Sequence, residues 1–354
     1  MRRALELAER GAGRTNPNPL VGAVLVKEGQ VVGEGYHQRF GGPHAEVVAL
    51  EAAGEGARGA DLYVNLEPCV HWGKTPPCVE RIIAAGVSRV IVAVRDPNPL
   101  VDGRGIAQLR EAGIEVVEGI LAEEARRLNE PFFKFITTKR PFVVLKLAMT
   151  LDGKSATGTG ESRWISNERS RELVHQLRNR YAAALVGVNT VLKDDPQLTA
   201  RSAGARDPWR LILDSRGQLP LDARVLHLES AARTVVATTE KMPKEKEEAL
   251  LAKGAEVWRL ASRGGRVDLA ELVAKLGREG IDSLLVEGGP TVAAAFLEAG
   301  LVDKVLFIIA PKIIGGPMSA VGGRGVERLA DAWQLREVSV RMLDGDLVYE
   351  GYLG

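Results

Sequence analysis

Four residues have side chains and spacing that could do chemistry together: His44, Glu46, Cys69 and Cys78. One imidazole and two thiolates suit zinc, and three protein ligands leave a fourth tetrahedral position for water, as in catalytic rather than structural sites. Zinc lowers the pKa of a bound water from ~15.7 towards ~7, which makes hydroxide available at neutral pH. Pro77 fits the first position of a helix, where its missing N–H is not needed. Cys78 then falls in the first turn, where the helix dipole favours thiolate. A single buried cysteine, or a histidine at a helix start, is more often structural. It is the joint pattern of His-x-Glu, Pro-Cys and Pro-Cys that points to a metal.

Glu46, two residues beyond His44, is placed to move protons rather than to bind the ion. Zinc deaminases combine His-x-Glu with Pro-Cys-x-x-Cys, and their glutamate shuttles protons between the water and the leaving amine. Here eight residues, not two, separate the cysteines, so a loop has to bring the second sulfur back.

The elements that must position these groups alternate along the chain. Helical spacing is expected over 3–10, 45–53, 79–85, 106–111 and 122–135. Short β-branched runs suited to buried strands fall at 21–26, 30–36, 62–66, 90–94 and 114–118. The first two strands fit a hairpin around Lys27-Glu28-Gly29. A polar break at Thr137-Thr138-Lys139-Arg140-Pro141 separates this half from a second series. In that series strands are expected at 142–147, 183–188, 210–214, 234–237, 256–260, 283–286, 304–309, 338–343 and 346–352. Helices are expected at 168–180, 244–253, 269–279 and 291–299. The fold class is α/β, in two domains, 1–138 and 141–354.

Composition narrows the function classes. The chain has 354 residues, 45% apolar and 26% charged, and 47 Lys plus Arg against 46 Asp plus Glu leave a net charge of +1. That balance argues against nucleic-acid partners, which select for a basic excess. No apolar run approaches the ~18 residues of a membrane helix, and the mixed-charge N-terminus lacks a secretory signal. Two cysteines are too few for a disulfide framework. A cytoplasmic protein without membrane partners is expected.

In the second half, Ser283-Leu284-Leu285-Val286-Glu287-Gly288-Gly289-Pro290-Thr291 runs from a strand through a glycine turn into a helix. Backbone N–H groups at such a helix start can cradle phosphate, although a plain tight turn has the same form. By contrast, Gly54-Glu55-Gly56-Ala57-Arg58-Gly59 matches the dinucleotide glycine pattern but follows a helix and precedes a strand. That is the reverse of the required context, and a loop is expected there.

The segment 68–78 resembles the long-spacer signature of the riboflavin-pathway deaminases, as do the loops Thr15 to Gly22 and Asp96-Pro97-Asn98-Pro99. The whole chain then resembles the RibD family, in which a pyrimidine deaminase is fused to a reductase. Val70 and Trp72 stand at spacer positions where small or polar residues are frequent. The resemblance implies a cytidine-deaminase-like three-layer domain followed by a dihydrofolate-reductase-like α/β domain. It implies Zn2+ on His44, Cys69 and Cys78, Glu46 as proton carrier, and Asn18, His71 and Lys74 as substrate contacts. The reaction implied is hydrolysis of the 2-amino group of 2,5-diamino-6-(5-phosphoribosylamino)pyrimidin-4(3H)-one.

For the second domain the resemblance implies NADPH and hydride delivery to C1′ of the ribosyl group, which becomes ribityl. Ala148, Trp164, Thr190, Asp194, Ser215 and the loop Gly289, Pro290, Thr291, Val292, Ala293, Ala294 and Ala295 are the implied cofactor contacts. Ser162, Arg178, Leu198, Arg201 and Glu287 are the implied substrate contacts, with Arg178 and Arg201 suited to the ribose phosphate. An acid must protonate the departing ring oxygen or the sugar imine. Lys146, Asp194 and Glu287 are candidates, and Lys146 is the most suggestive because it interrupts an apolar strand. His175 is expected to be exposed and His227 to be a packing residue, while His37 is assigned no role. A homo-oligomer through the second domain is expected.

Two other readings remain at this point. One is a nucleic-acid or nucleoside deaminase with an accessory domain, disfavoured by the balanced charge and the long spacer. The other is a binding protein with structural zinc, in which His71 is the nearby residue able to act as a fourth ligand.

Overall fold

The structure, a computed structural model, describes residues 1–72, 76–202 and 204–354. The chain forms two compact units, Met1–Lys139 and Arg140–Gly354. No helix among the described residues is long and apolar enough to cross a membrane.

The first unit carries strands β1 (Gly22–Lys27), β2 (Gln30–Tyr36), β3 (Asp61–Val64), β4 (Arg89–Val92) and β5 (Glu115–Glu118). Its helices are α1 (Arg2–Glu9), α2 (Ala45–Ala53), α3 (Cys78–Ala85), α4 (Arg104–Glu111), α5 (Ala122–Leu128) and α6 (Glu130–Thr138). The sheet order is β2-β1-β3-β4-β5; β1 runs antiparallel to both neighbours, and β3, β4 and β5 are parallel. Successive side chains on a strand point to opposite faces. Thus Ala23 and Leu25 enter a core that includes residues of α2, α3 and α4, whereas Val24 packs with Ala4 and Leu7 of α1. Helices on both faces give three layers. Helix α2 lies directly on β2 at two glycines, where an added Cβ would meet the α2 backbone at 2.4 Å from Gly33 and 2.5 Å from Gly35. That close approach seats the start of α2, where His44 is the N-cap, over the sheet.

Three expectations shift here. The helix expected over 122–135 is broken at Asn129, whose buried amide accepts from the Leu20 N–H (2.7 Å) and donates to the Leu20 carbonyl (2.9 Å). Pro77 caps α3 rather than opening it, which leaves Cys78 as the first helical residue. Gly54–Ala57 forms one 3-10 turn rather than an open loop.

The second unit is built on a nine-stranded sheet. Its strands are β6 (Phe142–Thr150), β7 (Ala183–Gly187), β8 (Trp209–Leu213), β9 (Thr234–Thr238), β10 (Glu256–Arg259), β13 (Ser283–Val286), β14 (Lys304–Ala310), β15 (Leu335–Leu343) and β16 (Asp346–Leu353). A small hairpin, β11 (Ser262–Arg263) with β12 (Arg266–Val267), lies apart from it. The order is β10-β9-β8-β7-β13-β6-β14-β16-β15, parallel from β10 to β14 and closed by antiparallel β16 and β15. The helices are α7 (Glu168–Arg180), α8 (Val188–Asp194), α9 (Lys244–Ala252), α10 (Leu269–Arg278) and α11 (Pro290–Glu298).

On β6, Val143, Leu145 and Leu147 share a core with residues of α10 and α11. Phe142 and Val144 pack instead with Val174 and Leu177 of α7. Lys146, in phase with Val144, therefore sits on the α7 side. Strand β6 runs to Thr150, beyond the expected end at Leu147, because β14 pairs with it as far as Ala310. Helix α8 forms where the sequence pattern predicts no helix. Its β-branched residues have weak helix propensity, but Val188 and Val191 are buried, and burial decides the conformation.

Candidate functional site

In the first unit the metal-ligating atoms of His44, Cys69 and Cys78 lie within 4.8 Å of one another, the one such group among the described residues. His44 Nδ1 is 3.2 Å from Cys78 Sγ and 3.5 Å from Cys69 Sγ. A tetrahedral zinc with Zn–S about 2.3 Å and Zn–N about 2.0 Å sets its ligand atoms ~3.5–3.8 Å apart, so the donor set and spacing fit that ion. His71 is not part of the group, which counts against a four-ligand structural site.

The three groups already act on one another electrostatically. A hydrogen bond from the Cys78 thiol, then one from His44 and one from the Cys78 N–H, holds Cys69 well below the ordinary thiol range. The same contact with Cys69, with burial, pushes Cys78 up. His44 is raised by its bond to Cys69. Glu46 is buried one residue into α2, and burial raises its carboxyl above the usual range.

Around this group the structure places Asn18 beside His37, a residue the sequence reading left without a role. The buried His37 ring contacts the Pro43 carbonyl through Nδ1 (2.9 Å) and the Asn18 amide nitrogen through Nε2 (3.1 Å). A carbonyl only accepts, so Nδ1 carries the proton and Nε2 accepts from Asn18. Burial lowers the His37 pKa, which keeps that neutral form. The ring stands edge-on to His44, with centroids 5.5 Å apart. The chain after Asn18 is pinned by Asn129 at Leu20 and by Asn65, which accepts from Gly22 N–H at 2.8 Å. No spacing rule connects residues 18, 37 and 65; only the fold does. His71 Nδ1 is buried without a hydrogen-bond partner. Lys74 lies outside the described residues.

In the second unit a cavity of about 870 Å³ opens at the carboxyl ends of β7, β8 and β13. Ser162, Thr190, Asp194, Ser215, Gly289, Pro290, Thr291, Val292 and Ala295 line it. Ala293 and Ala294 are buried in α11 with their side chains in the core. Leu198 also points inward, packing with Val186, Val188 and Ile212. Trp164 is exposed, with the Arg171 guanidinium 4.7 Å from its ring centre.

Three charged residues meet under α7. Arg178 binds Glu287 through both fork nitrogens, at 2.7 and 3.0 Å, and Lys146 Nζ lies 3.9 Å from the same carboxylate. Burial pulls Lys146 below the ordinary lysine range, and Arg178 adds to this while Glu287 opposes it. Burial works to raise Glu287, but Arg178 and Lys146 together hold it lower. Ala148 lies one pleat beyond Lys146 on β6. Asp194 is engaged elsewhere, 3.4 Å from Ser162 Oγ and in contact with Arg163. The expected fork of Arg178 and Arg201 is not preformed: Arg178 is committed to Glu287, and Arg201 is exposed with Gln197 as partner. His175 is half-buried rather than exposed, with Nδ1 3.0 Å from the Thr199 carbonyl. His227 is exposed rather than packed.

A group of three zinc-type donors on one unit and a nucleotide-sized cavity at strand ends on the other define a two-function α/β protein. Residues 1–94 match the family described as the cytidine and deoxycytidylate deaminase zinc-binding region, and residues 141–349 match the RibD C-terminal domain. The chain is 49% identical over 349 residues to the riboflavin biosynthesis protein RibD of Aquifex aeolicus (strain VF5), covering 98% of this chain and 96% of that one. RibD of Escherichia coli (strain K12) is 43% identical over 361 residues, covering 98% and 96%. The crystal structure of a diaminohydroxyphosphoribosylaminopyrimidine deaminase/5-amino-6-(5-phosphoribosylamino)uracil reductase from Thermotoga maritima superposes with a TM-score of 0.88 at 42% identity, covering 100% of this chain and 97% of that one. The class is a zinc-binding deaminase joined to a reductase. The chain belongs to the RibD family of riboflavin biosynthesis proteins and is a bifunctional deaminase and reductase.

Proposed function

We propose that residues 1–138 hydrolyse the 2-amino group of 2,5-diamino-6-(5-phosphoribosylamino)pyrimidin-4(3H)-one. Residues 141–354 then reduce the ribosyl group of 5-amino-6-(5-phosphoribosylamino)uracil to ribityl with NADPH. The observation that carries the first half is the spacing of His44 Nδ1, Cys69 Sγ and Cys78 Sγ, with buried Glu46 beside them. These three residues hold the zinc, which when bound supplies a water acidic enough to be deprotonated at neutral pH. Glu46 takes the proton and returns it to the departing ammonia. Asn18, its amide turned by His37, offers its oxygen to the ring, and His71 is assigned to the substrate as well. Lys74 is assigned to the substrate phosphate.

In the second half the nicotinamide, when bound, supplies the hydride for C1′. Lys146 supplies the proton to the ring oxygen, because Glu287 is held ionised between two cations and Asp194 is engaged with Ser162 and Arg163. Ala148, Trp164, Thr190, Asp194, the N-cap Gly289 and the first turns of α11 to Ala295 are assigned to the cofactor. Ser162, Arg178, Arg201 and Glu287 are assigned to the substrate through their side chains, and Leu198, whose side chain packs in the core, through its backbone. NADPH is favoured over NADH by Ser215, Arg216 and Arg266, all of which line the cavity, with Ser215 Oγ 3.1 Å from the Val267 N–H next to Arg266. Two guanidinium groups and a hydroxyl suit a 2′-phosphate. A second copy of the chain is assigned to the β15 edge, where Val338, Val340 and Met342 are 44%, 54% and 65% exposed in an apolar row.

Product mass analysis with the diaminopyrimidine ribosyl phosphate tests the pathway. Exchange of an amine for oxygen without NADPH, and gain of two hydrogens with it, is the expected result; no change by folded, zinc-loaded protein overturns it. Arg216→Ala with Arg266→Ala is expected to weaken NADP+ binding about tenfold or more while leaving NAD+ binding unchanged, measured by titration calorimetry. Equal losses for both nucleotides would remove these residues from 2′-phosphate recognition.

A further inference from the structure

Glu67 is a buried carboxylate that the reaction does not use, three residues past the end of β3 and two before Cys69. Its oxygens accept four backbone N–H groups. Oε2 accepts from Asp96 (3.2 Å) and Gly103 (3.0 Å), and Oε1 accepts from Gly105 (2.9 Å) and Ile106 (3.1 Å). Its own N–H donates to the Val94 carbonyl at 3.0 Å. Gly105 and Ile106 open α4, whose N-cap Gly103 has no side chain to cap it. The orphan N–H groups of that helix are thus capped from another segment, where the helix dipole also favours the negative charge. At Gly105 an added Cβ would lie 2.2 Å from the Pro68 carbonyl, so α4 is pressed against the peptide that leads into Cys69. Asp96, held by the same carboxylate, folds back to accept the Asn98 N–H at 2.8 Å.

We infer that Glu67 is a positioning residue for the metal centre: its carboxylate holds Pro68–Cys69 against the 96–106 segment and so sets where the Cys69 sulfur stands. Cys69 has no helix of its own, unlike Cys78 on α3 and His44 at the start of α2. Glu67 supplies the rigidity that those two ligands take from helices. A carboxylate can accept all four N–H groups; a glutamine in its place has one acceptor oxygen and turns N–H donors towards N–H donors.

The inference rests on the ligand set proposed above, and the test separates the two. The full chain is stripped of metal and titrated with Co2+, following the thiolate-to-cobalt absorption bands, then with Zn2+ in competition with a chelator. Wild-type protein without thiolate bands overturns the ligand set itself. Given those bands, Glu67→Gln is expected to lower Zn2+ affinity about tenfold or more and to shift them. Its deamination kcat falls while reduction is unchanged. Ile106→Ala, which opens a cavity under the same helix without touching the carboxylate, is the control for general loosening and is expected to leave the bands in place. If Glu67→Gln does not fold, Glu67→Asp carries the same measurements, since it keeps the charge but is too short to reach all four N–H groups. Wild-type affinity and bands in the folded variant overturn the inference. So do equal shifts in Ile106→Ala, or failure of both Glu67 variants to fold, which assigns the carboxylate to stability alone.

Discussion

The two units build their sites in opposite ways. In the first, side chains on separate elements already touch: His44, Cys69 and Cys78 hydrogen-bond one another, and Glu46 is buried alongside them. In the second, the large cavity is walled mainly by strand ends, turns and a helix start, while the charged trio of Lys146, Arg178 and Glu287 sits under α7. A metal ion is small and needs a few soft donors at fixed separations. A dinucleotide is long and is met by backbone and shape over many residues. The contrast implies that single substitutions act sharply and locally in the first unit. In the second, only the charged trio is equally sensitive.

The largest effect expected is from Glu46→Gln. Ammonia release falls about 10²–10⁴-fold, zinc content is retained, and reduction of already deaminated substrate is unchanged. Loss of both activities in a folded variant would break the picture of two separable sites. Next is Lys146→Met, for which NADPH oxidation is expected to fall about a hundredfold or more with ammonia release intact. A reductase that tolerates this change transfers its proton from elsewhere.

Glu287→Gln sharpens the same point through pH. Lys146 acts as an acid, so reduction declines as pH rises through its pKa. Burial lowers that pKa and the Glu287 carboxylate opposes the lowering. Removing the negative charge leaves burial and Arg178 acting alone, so the alkaline limb of the pH–rate profile moves to lower pH. A limb that stays in place means that Lys146 does not carry it. The smallest effect expected is from His37→Phe, which removes the acceptor that turns the Asn18 amide. One hydrogen bond is worth about 1 kcal/mol, so KM for deamination should rise about fivefold with little change in zinc content. A loss of zinc instead would show that the ring serves His44 rather than Asn18.

Much of the architecture was legible in the sequence. Helices at 45–53 and 168–180 and strands at 30–36 and 283–286 have the expected bounds, because hydrophobic period and turn residues coincide there. The segments that differed were decided by distant contacts. Asn129 breaks a long helical pattern because its amide is needed at Leu20, and α8 forms because burial overrides propensity. Among candidate site residues, the metal group was legible because His-x-Glu and the Pro-Cys pairs are short local patterns. The pairing of Arg178 with Glu287 was not, since nothing in the helix of Arg178 indicates that a carboxylate 109 residues away takes up its guanidinium.

The sequence by itself determined which donors are available and the bounds of the elements whose hydrophobic period and turn residues coincide. Those properties depend on residue type and near neighbours. Only the tertiary structure decided that His37 orients Asn18, that Glu67 caps α4 beside Cys69, and that Lys146 faces Glu287 rather than the other side of the sheet. Each of these depends on buried polar groups finding partners far away in the chain. Burial makes such pairing obligatory, but only the packed fold selects the partner.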